Sequence, residues 1–178
     1  MIIIGIDPGT IITGIGIIQV SGNALKRVYS GVVNLPSSKP IPQRLEIIYR
    51  ELSSLIKKYK PTEFAIETAF YGKNVQSAMK IGYARGVSIL AAIHSGLNIS
   101  EYSPREVKKS VVGKGSASKQ QVSYMINNLL SLKKTTLKPD ESDALAVAVC
   151  HSFRFKKFTS TKNSWKTFIE AFPERVIG

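Results

Sequence analysis

Four acidic residues, Asp7, Glu67, Asp140 and Asp143, sit at the margins of apolar segments in this chain of 178 residues. Asp7 ends the run Ile2, Ile3, Ile4, Gly5, Ile6, and Glu67 ends Phe64, Ala65, Ile66. Asp140 and Asp143 open a segment that continues Ala144, Leu145, Ala146, Val147. A carboxylate closing a buried strand is costly to leave half dehydrated unless a metal ion, a substrate's cation or a hydrogen-bonded turn meets it. Each acid also has a plain reading. Asp7 closes an Asp-Pro-Gly turn with Pro8 and Gly9, Glu67 reaches solvent, and Asp140 with Asp143 caps free amides and complements a helix dipole. Taken together, on a basic chain with lysines near by, the four form the set that two divalent ions need to hydrolyse a phosphodiester. Hard oxygen ligands hold Mg²⁺, one ion lowers the pKa of the attacking water, and the other stabilises the leaving oxygen roughly 4 Å away. Histidine or serine nucleophile machinery is not evident. Cys150 is the only cysteine, which excludes cysteine-based zinc sites, and His94 and His151 are read as structural.

The elements around these acids follow from the spacing of apolar residues. Four isoleucines within the five positions Ile2 to Ile6 are suited to a sheet centre, and with the apolar run from Thr13 to Ile18 they predict a hairpin. Leu25 to Leu35 alternates loosely and predicts an edge strand. From Ile41, the positions Leu45, Ile48, Leu52, Leu55, Ile56 and Tyr59 mark one stripe of a helix that Pro61 stops. Phe64 to Glu67 then predicts a short buried strand, and strand, crossover helix and strand imply a parallel unit. Its two strands would deliver Asp7 and Glu67 to one sheet edge, where open α/β sheets bind ligands. A loop with Phe70, Tyr71 and Gly72 leads to a long helix from about Asn74 to His94. Val75, Met79, Gly82, Gly86, Ile89, Leu90 and Ile93 are expected on one side of it. Its small residues Ala78, Gly82, Gly86, Ala91 and Ala92 allow close approach of the sheet or of a second subunit. Asn98 to Tyr102 is a fifth strand. Ser103-Pro104 starts a short helix, and Ser118 with Gln121 forms a capping box for another. Asp140 and Asp143 lie one turn apart on the last helix and face the same way.

The formal net charge of +13 points to a polyanionic partner, nucleic acid before an anionic membrane surface. Between Pro104 and Lys138 the bases Arg105, Lys108, Lys109, Lys114, Lys119, Lys133, Lys134 and Lys138 face one acid, Glu106, which favours a phosphate-contacting surface over a merely solvated one. No stretch approaches the roughly eighteen consecutive apolar residues of a membrane span. The N-terminal isoleucines lack a basic leader, so no signal peptide and no membrane role are expected. A single cysteine permits no internal disulfide and suits a reducing, cytoplasmic setting. One nuclease domain is expected over residues 1–155, followed by a basic tail, 156–178, to which the sequence assigns no role.

At these residues the chain resembles the RuvC family of Holliday junction resolvases. Ile4-Gly5-Ile6-Asp7-Pro8-Gly9-Thr10 is similar to that family's first motif, and Ala65-Ile66-Glu67 with Phe70 and Lys73-Asn74 to its second. Ala84-Arg85-Gly86, Val107-Lys108, Val111-Val112-Gly113, Lys119 and Asp140 to Ala146 follow in order, over roughly residues 1 to 153. The resemblance implies a ribonuclease H-like α/β fold: a five-stranded mixed sheet flanked by helices on both faces. It also implies a homodimer that resolves four-way DNA junctions by paired symmetric nicks, in homologous recombination and DNA repair. Asp7, Glu67, Asp140 and Asp143 would be the metal-binding catalytic acids, with two Mg²⁺ per active site and Mn²⁺ as a substitute. Lys108 and Lys119 would stabilise charge at the scissile region, and Phe70 would stack on a base at the junction's open centre. Tyr71, Lys73, Arg105, Lys109 and Lys114 are further candidate DNA contacts. The long helix from Asn74 would be the dimer interface, and the RuvA-RuvB branch-migration complex the implied partner.

Two other readings share some of these features. An ATPase domain of the actin and sugar-kinase type would use Asp7 to Thr10 as a phosphate loop, but normally needs two duplicated domains. A non-catalytic nucleic-acid-binding module would explain the charge, yet leaves four carboxylates to repel phosphate.

Overall fold

A computed structural model describes residues 1–68, 75–132 and 137–171, with side chains to residue 155. In chain order the elements are β1 (Ile2–Asp7), β2 (Ile12–Ser21), β3 (Ala24–Asn34), α1 (Ile41–Tyr59), β4 (Glu63–Glu67), α2 (Val75–His94), β5 (Asn98–Tyr102), α3 (Pro104–Val112), α4 (Lys119–Leu129) and α5 (Pro139–Ala171). The strands form one sheet in the order β3-β2-β1-β4-β5. Pairing is antiparallel for β1 with β2 and β2 with β3, and parallel for β1 with β4 and β4 with β5. The expected five-stranded mixed sheet is therefore present, with β3 on its edge. The boundary expected at residue 155 falls within α5, whose backbone continues to Ala171.

The isoleucine run sits at the sheet centre because both of its faces are covered. Ile4 and Ile6 pack with Phe64 and Ile66 under Ile48, Leu52 and Ile56 of α1 and Ala84, Ala91 and Ala92 of α2. Ile3, with Ile18, Val20 and Ala65, faces α3, α4 and the apolar stretch of α5. Alternation along a strand then fixes what else points toward α5. On β1 the series is Ile3, Gly5, Asp7; on β2 it is Gly14, Gly16, Ile18, Val20; on β4 it is Glu63, Ala65, Glu67.

Glycines dominate that face near the carboxyl ends of the parallel strands, and α5 rests on them backbone to backbone. A Cβ built on Gly14 would lie 2.1 Å from the Asp140 carbonyl oxygen, one on Gly5 2.4 Å from that of Ala144, and one on Gly16 2.6 Å from the Leu145 nitrogen. None of these distances admits a carbon atom, and the blocking atoms are helix backbone rather than side chains that can turn away.

On the opposite layer, α2 turns three alanines and a serine inward. Ala84, Ser88, Ala91 and Ala92 are buried, whereas Val75, Met79, Tyr83, Leu90 and Ile93 are exposed. Of the two partners that the small residues of this helix permit, Ala91 and Ala92 serve the protein's own core. Gly82 and Gly86 have open space where a side chain would stand.

Replacing Gly14 with alanine is expected to lift the first turn of α5 off the sheet and to cost roughly 3 kcal/mol of stability. Urea unfolding of the variant beside the parent protein measures it.

Candidate active site

The parallel register of β1 and β4 pairs Ile6 with Ile66, so the next residues on each strand, Asp7 and Glu67, stand side by side at the sheet's carboxyl edge. Both belong to the face that looks toward α5. The glycine seat brings the first turns of α5 over the same edge, and Asp143 completes a cavity of about 150 Å³ lined also by Lys108, Lys119, Val107, Val122 and Ala146. Two capping boxes hold the lysines in place. Ser103 caps α3, accepting from the Glu106 N–H while its own N–H donates to the Glu106 carboxylate, and α3 carries Lys108. Ser118 and Gln121 make the same reciprocal pair for α4, of which Lys119 is the first residue.

A lysine at a helix N-terminus opposes the helix dipole. Here it is met by Asp143, whose Oδ2 lies 2.6 Å from Lys119 Nζ. That hydrogen bond is the largest influence on the Lys119 ammonium and pushes its pKa up. The other carboxylates fare less well. Burial, reinforced by the charge of Asp143, raises Asp7 from the ordinary 3.8 to about 6. Burial, reinforced by Asp7 and Asp143, raises Glu67 from 4.5 to about 7, and Lys119 and Lys108 offset only part of it. Asp140 stands outside the cavity lining, and its charge is felt there by both Asp7 and Lys119. Negative charge thus exceeds positive at the cavity, and its donors are hard oxygens. Among the described residues no three acid, histidine or cysteine side chains are set as a ready-made metal site. An open carboxylate set of this kind suits a hydrated cation such as Mg²⁺, which keeps several waters and takes only one or two carboxylates. The chemistry of the donors therefore fits a divalent ion.

Of the candidate DNA contacts, Arg105 and Lys114 line a hollow of about 540 Å³ that also borders Lys108, and with Lys109 they line a second of about 450 Å³. Phe70, Tyr71 and Lys73 lie outside the described residues, as do Lys133 and Lys134. Both histidines have aromatic partners: His94 Nδ1 is 2.8 Å from the Tyr49 hydroxyl, and the buried His151 Nδ1 is 2.8 Å from that of Tyr102. His151 Nε2 stands 3.5 Å from Glu63, and burial favours the neutral form of both groups.

The sequence reading passed over Gly14 and Gly16, which seat the acid-bearing helix. Their signal was present as two glycines on one face of an otherwise apolar strand. It also passed over Arg154, whose Nη2 lies 3.0 Å from Glu106 Oε1 and whose guanidinium stands 5.5 Å from the centre of the Tyr102 ring. A contact between α5 and α3 leaves no local trace in the sequence.

The raised carboxyl pKa values set a sign for stability. Between pH of about 4 and 7 the folded chain binds more protons at Asp7 and Glu67 than the unfolded chain does, so stability falls as pH rises through that window. In EDTA at pH 8, Asp7→Asn is expected to melt higher than the parent, by the equivalent of roughly 1–3 kcal/mol. Below pH of about 4 the difference closes, and thermal melts at the two pH values check both statements.

The family model for "Crossover junction endodeoxyribonuclease RuvC" matches residues 3–151 of this chain. A relative of that description from Chloroherpeton thalassium is 46% identical over 186 residues, spanning 99% of this chain and all of its own length. Among solved structures, Thermus thermophilus RuvC superposes with a TM-score of 0.82 at 30% identity, covering 89% of this chain and 98% of that one. The same protein in complex with a Holliday junction substrate gives 0.84 at 29% identity, covering 89% and 97%. Together with a ribonuclease H-like sheet whose parallel strands end in paired acids, these matches show that the chain belongs to the RuvC family of crossover junction endodeoxyribonucleases.

Proposed function

We propose that the cavity bounded by Asp7, Glu67 and Asp143 is where this protein cuts DNA, resolving four-way junctions by paired nicks through metal-assisted hydrolysis of the phosphodiester. The observation that carries the assignment of the site is the shared cavity: the half-buried Asp7 and Glu67 from adjacent strand ends line it with Asp143, with Lys108 and Lys119 beside them, and burial together with the charge of Asp143 raises the pKa of both strand-end carboxyls. Such a group of acids is relieved by cations and by little else.

Asp7 and Glu67, from adjacent strand ends, and Asp140 and Asp143, from the first turns of α5, would hold Mg²⁺, or Mn²⁺ in its place, two ions to a site. When bound, the ions supply an activated water and charge stabilisation at the leaving oxygen. The protein contributes orientation and compensation. Strand ends are rigid supports, so the acids stay in position when the ions exchange. The Lys119 stem is mostly exposed and its ammonium is held by Asp143, so it would turn to charge developing on the phosphate once that acid meets an ion. Lys108, at the junction of the cavity and the basic hollow, would hold a non-bridging oxygen of the same group. Arg105, Lys109 and Lys114 would contact flanking phosphates. Phe70, with Tyr71 and Lys73 beside it, would meet the unpaired bases at the junction centre. The catalytic unit is assigned to residues 1–155.

Symmetric nicks need two sites facing two strands, and α2 offers the surface for pairing. Val75, Met79, Leu90 and Ile93 are exposed along one stripe, with Gly82 and Gly86 leaving open ground between them. An exposed apolar stripe with a glycine groove favours close helix-to-helix packing of a homodimer. No described helix is long and apolar enough to cross a membrane. A cytoplasmic place beside the chromosome, and a hand-over from RuvA-RuvB, accord with the substrate.

Incubation with a labelled four-way junction and with linear duplex of the same sequence, in Mg²⁺ and in EDTA, tests the reaction. Paired ligatable nicks in the junction alone, absent in EDTA, are expected; binding without nicks in any divalent ion would leave a binding module. Asp7→Asn should abolish cleavage while binding in Ca²⁺ persists, and Lys119→Ala should slow the single-turnover rate by roughly 100-fold or more. Independently of activity, Mg²⁺ should raise the melting temperature of the parent protein at pH 8 and do so far less for Asp7→Asn. Leu90→Glu is expected to sediment as a monomer and to lose paired cutting.

A further inference from the structure

Lys108 belongs to two hollows at once. On one side it lines the acid cavity; on the other it borders, with Arg105 and Lys114, the hollow of about 540 Å³ between α3 and the loop that follows. Arg105 and Lys114 in turn border the hollow of about 450 Å³ whose far wall is Lys109 and Arg154. Because neighbouring hollows share walls, a line of cations leads from the acid cavity across α3 to α5. Among the described residues lining the two basic hollows, Glu106 is the one carboxylate.

Glu106 is already committed. Its Oε2 accepts from the Ser103 N–H at 2.9 Å and the Ser103 hydroxyl at 2.8 Å, and these bonds, the backbone one foremost, hold its pKa below the usual range. The remaining oxygen, Oε1, takes Arg154 at 3.0 Å, while the Tyr102 ring supports the guanidinium at 5.5 Å. Arg154 is thus half exposed and yet fixed in direction. A guanidinium held this way keeps donors free for a second anion and loses little side-chain entropy in taking one. Four cations against one carboxylate around a single hollow repel one another, and an anion there relieves the strain.

We propose that this trough seats the DNA backbone flanking the cut, with Arg154 as its outermost phosphate contact and Glu106 as the residue that positions Arg154. The inference rests on the junction-cleaving reading, since a strand whose phosphate lies in the acid cavity must leave it along a neighbouring wall. A DNA strand fits better than an acidic protein segment because the trough opens from that cavity, and a nucleic acid presents a charge at every nucleotide.

The test is the salt dependence of four-way junction binding in Ca²⁺, measured by fluorescence anisotropy. Arg154→Gln is expected to lower the slope of log affinity against log salt by about 0.9 and to weaken binding several-fold at low salt. Lys57→Gln, on α1 at the opposite face, should leave the slope unchanged. Glu106→Gln keeps the cap of α3, because glutamine serves at that position. It should show coupling with Arg154→Gln in a double-mutant cycle, which a carboxylate acting only through its charge would not. Arg154→Lys covers the case in which glutamine unfolds the protein: it should keep the slope and lose about threefold in affinity. An unchanged slope and affinity in folded Arg154→Gln, or parental affinity in Arg154→Lys, overturns the proposal and leaves the trough to an acidic protein partner. Failure of the parent protein to prefer the junction overturns the underlying reading instead, and the two failures are distinct.

Discussion

The contact of α5 with the bare backbone of β1 and β2 is the constraint on which the site depends. Gly5, Gly14 and Gly16 admit the helix to a distance that no other residue permits, and that distance puts Asp143 beside Asp7 and Glu67. Ala144 and Ala148 continue the arrangement from the helix side, as small residues above the glycines. The apolar gain per residue is small at such a seam, because little side chain is buried there. What the seam supplies is position, and the cost is met by the larger isoleucine and leucine contacts on either side of it.

Position in turn creates electrostatic tension. Three carboxyls around a small cavity, with apolar walls from Val107, Val122 and Ala146, cannot all ionise freely. The folded protein accommodates them by raising two of the pKa values and pinning the third with Lys119. Stability is lost at the candidate site, which is a common relation between sites and the folds that carry them. The surrounding helices are well capped by contrast: two reciprocal capping boxes hold α3 and α4, so the lysines arrive on rigid supports.

Much of this was legible in the residues. Short apolar runs located the central strands, and a nineteen-residue amphipathic segment between two of them implied the parallel crossover that places Asp7 next to Glu67. The capping box of α4 could be read from Ser118 and Gln121, and the start of α3 from Ser103-Pro104, whereas the box that Ser103 makes with Glu106 came from the structure. Other features had no local signal. The helix α2 carries an apolar stripe and a small-residue stripe, and periodicity alone does not say which turns inward; the fold buries Ala84, Ser88, Ala91 and Ala92, with Val87 and Ile89 at the margin of the core. The link between Arg154 and Glu106 joins elements far apart in the chain. Sequence spacing also put Asp140 and Asp143 on one face, whereas the fold distinguishes them: Asp143 lines the cavity, and Asp140 acts on it from outside, its own carbonyl pressed over Gly14.

The order in which the acids occur along the chain has a kinetic consequence. Asp7 comes first along the chain, Glu67 follows after the crossover helix, and the Asp140–Asp143 pair arrives only with α5, the last element of the described fold. The sheet face that α5 covers, with its exposed glycines and two of the acids, therefore waits for the distal part of the chain before any cutting centre exists. Such long-range closure is slow to fold. A truncated or half-folded copy therefore carries Lys108 and Lys119 without the complete acid set, and the candidate site exists only once the last helix has closed on the sheet.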